Sequence, residues 1–396
     1  MRLIILLNDN KTLADFGILF LLYIPMKEGK YMKRIRRILK SIKPTREEGY
    51  SSPLRQYLDM LWLGAFWKLT PFEYRTYRFG RKGITPTEKK SYLRIKDAEK
   101  KLRPALNAPE WAPLLSNKLL FNSYFSQRGL PLAKLYGMFH PHFGSDIAGN
   151  PLRNTEDLSR WVRDNDITQF VIKPLAGDAG TAVLVLEIKD REAGLFIDRG
   201  GKEYSLEDLA RYMSKSLHYR QQGFLLEDRL IGHPDLAKYN PSSVNTCRVI
   251  TFLNQEGEIS IPVAVLRIGV KDRNTDNWHT GGLAAAIDPE TGIIGEGVLR
   301  PEFGGTRHTS HPDSGLTFTG ERVPDWEKIV ALTHKAARMT PFIRIVGWDV
   351  AATPQGPVLV EANYNWGPTM VQASQGGMLT PEFRRELKKL GLSFPQ

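Results

Sequence analysis

Val346–Asn363 reads VGWDVAATPQGPVLVEAN. Two apolar, β-branched runs flank Thr353-Pro354-Gln355-Gly356-Pro357. Pro and Gly among polar neighbours mark a turn, so the stretch is expected to fold as a β-hairpin. With residues 353–357 as its loop, Ala352 faces Val358 and Asp349 faces Glu361. Asn363, two residues on, shares a strand face with Glu361. Like charges directly opposite repel. Trp348, Val350, Leu359 and Val360 flank the acids, and a merely solvated face would be odd in such company. A cation between the acids removes the conflict. Asp349, Glu361 and Asn363 offer only hard oxygen ligands, which suit Mg²⁺, an ion that usually arrives with phosphates.

Upstream, short apolar runs recur at Phe170–Lys173, Ala182–Ile188, Phe224–Leu226, Thr246–Leu253, Ile259–Ile268 and Leu283–Ile287. Helical patterns intervene at 205–218 and 325–338, which predicts an α+β or mixed α/β chain with a large antiparallel part. Ser116-Asn117-Lys118 opens a helix that runs to about Arg128 and ends at Gly129-Leu130-Pro131, with a strand near Leu135–Phe139.

Several of these elements carry groups suited to phosphate chemistry. Lys173 precedes a small loop, Leu175 to Thr181, that holds Gly177, Asp178, Ala179 and Gly180. Exposed backbone N–H groups in such a loop can cradle phosphate oxygens, with the lysine as a point charge. It is not a Walker A loop, and the competing reading is a plain glycine hairpin. Glu227 and Asp228 end an apolar strand that could hold a base with its backbone and a ribose with a carboxylate; a strand end reaching solvent looks the same. Asn245 and Arg248 open one strand, and Arg267 lies near the end of another. Arginine forks onto carboxylate or phosphate, and a surface ion pair is the alternative. Asn277, His279, Gly281 and Gly282 sit in a polar loop of the kind that carries function, although a lone histidine is more often structural.

The chain of 396 residues is long enough for two or three domains. Its 25% charged and 41% hydrophobic residues are ordinary for a globular protein. One cysteine, Cys247, excludes a disulfide framework or cysteine zinc site within one chain and fits a reducing compartment. The eight histidines show no HExxH spacing, which argues against a zinc enzyme. The net charge of +12 is uneven: Lys27–Arg46 has nine basic residues and one acid. That local charge points to an anionic surface, and no RNP-type or helix-turn-helix pattern supports nucleic-acid binding.

Before this arm, Leu3–Leu7 and Phe16–Ile24 are apolar but are split by Asn8-Asp9-Asn10-Lys11. Neither run approaches the ~20 residues of a membrane span, and no Ala-x-Ala cleavage site follows. A start at Met26 or Met32 is an alternative. Residues 31–43 space Tyr31, Ile35, Ile38, Leu39 and Ile42 as a basic amphipathic helix, which can lie on an anionic membrane or pack as an ordinary surface helix. Residues 50–112 are expected to be short helices broken by Pro53, Pro71, Pro86 and Pro104.

Taken in order, these features resemble the ATP-grasp superfamily, and within it the sugar-transfer-associated group related to α-L-glutamate ligase-like proteins. The segments that carry the resemblance are GHPDLAKYNPSSVNTCRV, LRIGVKDRNTDNWHTGGL and GWDVAATPQGPVLVEANYNWGP, within roughly residues 110–380. The resemblance implies an α+β fold in which two α+β subdomains clamp ATP, with a mostly helical N-terminal extension. The boundaries it suggests are an apolar and basic arm at 1–46, a helical region at 47–112, a pre-lid part at 113–168, a lid at 169–230 and a core at 231–396. Lys118 and Lys173 match the nucleotide lysines, Gly177–Gly180 the phosphate-covering loop, and Glu227 with Asp228 the adenine hinge. The usual ribose glutamate is missing, and Asp235 is the nearest acid. Arg248 matches the arginine near the transferred phosphate, with Arg267 as a further cation. Asp349, Glu361 and Asn363 match the Mg²⁺ ligands. Asn245, Asn277, His279, Gly281 and Gly282 would lie toward the acceptor.

The resemblance implies a ligase that uses ATP and Mg²⁺ to activate a carboxylate as an acylphosphate for attack by an amine. Its group points to surface polysaccharide or cell-envelope sugars, and so to a sugar or lipid-linked sugar as a partner. The expected location is the cytoplasm, at the inner face of the membrane if residues 27–46 touch it. A small-molecule kinase would use the same ATP and Mg²⁺ residues. A nucleotide-binding protein without turnover is the third reading, and it predicts the loss of a lysine or metal position that this sequence retains.

Overall fold

The computed structural model describes residues 43–175, 182–215, 223–271 and 275–394. The basic helix expected at 31–43 therefore falls, apart from Lys43, outside the described residues, as do Gly177, Asp178, Ala179 and Gly180.

Two antiparallel sheets of seven strands each organise the chain. The first contains β1 (Leu135–Phe139), β2 (Ser145–Asp146), β3 (Gln169–Pro174), β4 (Leu184–Asp190), β5 (Leu195–Asp198), β6 (Glu203–Ser205) and β7 (Phe224–Glu227), in the order β2-β1-β7-β3-β4-β5-β6. The second contains β8 (Thr246–Leu253), β9 (Ile259–Ile268), β10 (Leu283–Ile287), β11 (Ile294–Leu299), β12 (Arg307–His308), β13 (Ile345–Thr353) and β14 (Gly356–Asn363), in the order β12-β11-β10-β9-β8-β13-β14. Described helices of eight or more residues are α1 (Pro53–Trp62), α2 (Lys118–Ser126), α3 (Thr155–Asp164), α4 (Leu206–Lys215), α5 (Trp326–Arg338), α6 (Pro368–Gln375) and α7 (Pro381–Lys389).

The first sheet is amphipathic, with helices on one face. Phe170 and Ile172 of β3 and Leu184 and Leu186 of β4 point into a core closed by Leu158, Trp161 and Val162 of α3 and Leu209 and Met213 of α4. Strand alternation then turns Val171, Lys173 and Val185 to the opposite face. Because β1 and β2 pair into this sheet, it spans the boundary at 168/169 expected between pre-lid and lid.

The second sheet is covered on both faces, and all nine residues of β13 are buried. One face meets α5 and α2, through Ile329, Leu332, Phe121 and Phe125. The other meets α6, α7 and the segment around Leu93–Leu106. This double cover explains why β8, β9 and β13 read as near-continuous apolar runs.

The hairpin forms with a tighter turn than expected. Its strands extend to Thr353 and Gly356, leaving Pro354-Gln355 as the loop, so Ala352 faces Pro357 instead of Val358. A bulge between Asp349 and Val350 restores the register, and Asp349 does face Glu361. At the start of α2, Asn117 accepts hydrogen bonds from the backbone N–H groups of Leu119 and Leu120.

The N-terminal helical region is tied to the core by Gln372, which is fully buried. Its carbonyl accepts from the N–H groups of Leu93 (2.7 Å) and Met378 (3.2 Å). Its amide donates to the Leu93 carbonyl at 2.9 Å and the Tyr77 hydroxyl at 3.2 Å. Gln372→Ala strands the Leu93 N–H and leaves the Leu93 carbonyl only the Tyr77 hydroxyl at 3.3 Å, and we expect a loss of about 2–4 kcal/mol in stability, read from the urea midpoint. A loss below about 0.5 kcal/mol, the level of an ordinary surface change, would contradict this tie.

Candidate active site at the junction of the two sheets

A cavity of about 400 Å³ lies where the face of the first sheet opposite α3 and α4 meets the end of the second. Val171, Lys173, Val185 and Glu227 line it from the first sheet, and Thr246, Arg267, Leu359 and Glu361 from the second. Lys118 enters from the first turn of α2, whose start is tethered by the Lys118 N–H to the Leu175 carbonyl at 3.2 Å. The volume falls within the range of small-molecule sites. Lys173 Nζ stands 2.5 Å from Glu227 Oε2 across β3 and β7. Strand periodicity explains the pair, since Glu227 faces Val171, two residues from Lys173 on the same side of the sheet.

Beside the cavity lies a buried charge cluster built across β9, β8, β13 and β14. Asp349 has no exposed surface. Arg248, its direct neighbour on β8, forks onto it through Nε and, at 2.9 Å, through Nη2. Arg267 reaches the same carboxylate at 2.8 Å and Asp276 at 3.4 Å. Asp276 also accepts from the Thr246 N–H at 2.9 Å and its hydroxyl at 2.5 Å. Burial opposes ionisation of Asp349, but Arg248 and Arg267 outweigh it and hold the carboxyl at about 2. Burial pushes the Asp276 carboxyl up, against the pull of Arg267. Glu361 is also pushed up, by burial and then by the charge of Asp349, while Lys118 acts in the opposite sense. Gly347 makes the arrangement possible: a Cβ there would lie 2.5 Å from Trp366 Cβ and 3.2 Å from Arg248 Cδ.

The donor set can be tested against a divalent cation. Asp349 spends its oxygens on two guanidiniums, which leaves Glu361 and Asn363, whose side chains meet at 3.5 Å. Among the described residues no group of three or more His, Cys, Asp or Glu side chains is placed to hold a metal. One or two carboxylates completed by an amide oxygen, water and phosphate oxygens fit Mg²⁺, which is rarely caged by protein alone.

The remaining expected residues divide. Asp228 lines the cavity. Asp235 does not: it stands exposed at the start of the helical turn Pro234–Ala237, 3.5 Å from His233. Arg248 is absent from the lining, since its guanidinium is spent on Asp349. Asn245 is a buried clasp, donating to the carbonyls of Leu236 and Asn240 and accepting from the Gly269 N–H. Asn277 lines the cavity and caps the turn Trp278–Thr280, accepting from the His279 N–H at 2.8 Å. His279 is exposed on that turn. Gly281 takes a φ of 103°, and a Cβ at Gly282 would lie 2.4 Å from the Asp276 carbonyl oxygen. Asp276, Thr246, Arg199 and Arg229 also belong to the site, and sequence reasoning missed them. Asp276 had one cue, its place next to Asn277 in a loop rich in polar groups.

A family model described as sugar-transfer associated ATP-grasp matches residues 97–388. No curated protein matches in sequence. Among solved structures, the chain is similar to N5-carboxyaminoimidazole ribonucleotide synthetase from Thermotoga maritima, at 11% identity and a TM-score of 0.34, over 69% of this chain and 48% of that one. It is similar to L-amino acid ligase from Bacillus licheniformis at 13% identity and a TM-score of 0.35, over 67% and 46%. A RimK domain ATP-grasp protein from Sphaerobacter thermophilus matches at 14% identity and a TM-score of 0.34, over 69% of each chain. The chain spans about half the length of the first two.

Removing Arg267 leaves Asp276 and Asp349 short of positive charge in a dry setting. Arg267→Met is expected to cost about 3–5 kcal/mol of folding stability in denaturant titration. Adding Asp276→Asn should recover part of that loss; a double variant as unstable as the sum of its parts would contradict the coupling.

Proposed function

The chain belongs to the sugar-transfer associated ATP-grasp family, whose model covers residues 97–388, and from that premise we propose an ATP- and Mg²⁺-dependent ligase that joins a carboxylate to an amine. The observation that carries this reading is the junction cavity, which gathers Lys118, Lys173, Arg267 and Glu361 from separate elements. Apolar Val171, Val185 and Leu359 supply a slot for the adenine, and Glu227 and Asp228 its polar edge. Lys118, Lys173 and Arg267 meet the phosphates. Glu361 and Asn363 hold Mg²⁺, with Asp349 behind them. Bound Mg²⁺ supplies charge neutralisation at the phosphate oxygens.

The chemistry then needs little beyond placement and electrostatics. A substrate carboxylate oxygen attacks the γ-phosphorus, the bond to the β-phosphate oxygen breaks, and an acylphosphate and ADP result. An amine nitrogen next attacks the acyl carbon. Phosphate leaves with the bonding electrons, and the amine releases its proton. Lys118 and Lys173 offset charge on the oxygens during transfer.

The family's description, sugar-transfer associated, supports a sugar as one substrate; our reading extends this to a sugar or lipid-linked sugar in surface polysaccharide or envelope synthesis at the cytoplasmic face of the membrane. The loop with Asn277 and His279 is the part we assign to that acceptor.

Hydroxylamine trapping tests the reading. Protein, ATP, Mg²⁺ and pools of amino acids and uronic acids should give ADP and a hydroxamate whose mass names the carboxylate. ADP with a phosphorylated product and no hydroxamate would instead identify a small-molecule kinase. Glu361→Gln should lower turnover at least about 10²-fold while leaving the thermal transition in place. Full activity in that variant would remove Glu361 from the metal site.

A further inference from the structure

We propose that α1 and the turn that follows it form a membrane-docking wedge for an anionic lipid surface. This goes beyond the ligase reading and does not depend on it. Among the described residues, Leu54, Leu58, Leu61, Trp62 and Phe66 are exposed at 65%, 54%, 46%, 52% and 71%. They follow helical spacing along one side, and the Trp62 and Phe66 rings meet at 5.4 Å, so the patch is continuous at its end. The opposite side carries the packing: Gln56, Met60 and Leu63 are buried. Folding therefore uses the side of α1 that carries Gln56 and Met60 and leaves the leucine side uncovered among the described residues. The other exposed large apolar residues are scattered from Trp111 to Phe342, with no comparable run.

The local backbone presents this patch rather than hiding it. Ser52 caps α1 with Pro53 in its first turn, and the capped end fixes where the helix starts. Leu63–Trp67 continues as a π-helical turn that stops at Lys68, whose φ is 56°. Lys68 donates to the Ala65 carbonyl at 2.8 Å, which puts a cation beside Phe66 at the tip.

Charge selects the occupant. The run Lys27–Arg46, with nine basic residues and one acid, ends six residues before Pro53. Apolar side chains with tryptophan at the rim, joined to basic charge, match the interface of an anionic bilayer. Among the described residues no helix is long and apolar enough to cross a membrane, so the contact would be interfacial.

The test uses the full chain and sedimentation with vesicles of phosphatidylcholine alone or with 30% phosphatidylglycerol. The wild type should bind the anionic vesicles and bind neutral ones weakly. Leu58→Ser/Phe66→Ser should weaken anionic binding roughly tenfold or more, given the apolar surface removed. Circular dichroism should show an unchanged thermal transition, because both residues are exposed. Equal vesicle binding by the variant and the wild type would overturn the proposal. So would a wild-type dimer in sedimentation velocity that the double variant converts to monomer, since a second copy would then cover the face.

Discussion

A carboxylate with no exposed surface must be neutralised by its neighbours, and Asp349 meets that demand with two arginines from adjacent strands. Breaking such a pair by removing one member leaves a buried charge uncompensated. The register of four strands follows from this constraint. Arg248 must lie opposite Asp349 on β8, Arg267 must follow on β9 beside Thr246, and Glu361 must face Asp349 on β14. The bulge in the hairpin serves the same end, because without it the Pro354-Gln355 turn would set the two acids out of line.

The cluster also explains why the site is where it is. Glu361 forms no ion pair with either arginine among the described contacts, and it lines the cavity. Its carboxyl faces the same space as Lys118 and Lys173, which come from α2 and from the first sheet. The first sheet can offer its Lys173 face because α3 and α4 cover the other. The second sheet, closed on both faces, supplies the rigid floor.

Much of this was legible in the sequence. Thr246–Leu253, Ile259–Ile268 and Leu283–Ile287 stand as strands with the boundaries that their apolar runs suggest, because a covered sheet demands continuous apolar side chains. The Asn117 cap and the opposition of Asp349 and Glu361 were equally readable. The short strands β2, β5, β6 and β12 were not, since two to four residues leave no period to detect. Asp276 escaped because a loop acid has no periodic signature, and its partners, Arg267 and Thr246, lie in other strands. Asn245 pointed to a ligand because its residue type allowed it. Its hydrogen bonds to Leu236, Asn240 and Gly269 depend on a chain path that spacing does not reveal.

Nucleotide bound in the junction between the two sheets is open to photolabelling with 8-azido-ATP and Mg²⁺, followed by peptide mapping. Binding there should put ATP-protectable label on peptides carrying Leu225–Gly232 or Val171–Lys173, which border the cavity. Protectable label confined to peptides away from the junction, such as those of α1 or α7, would contradict it.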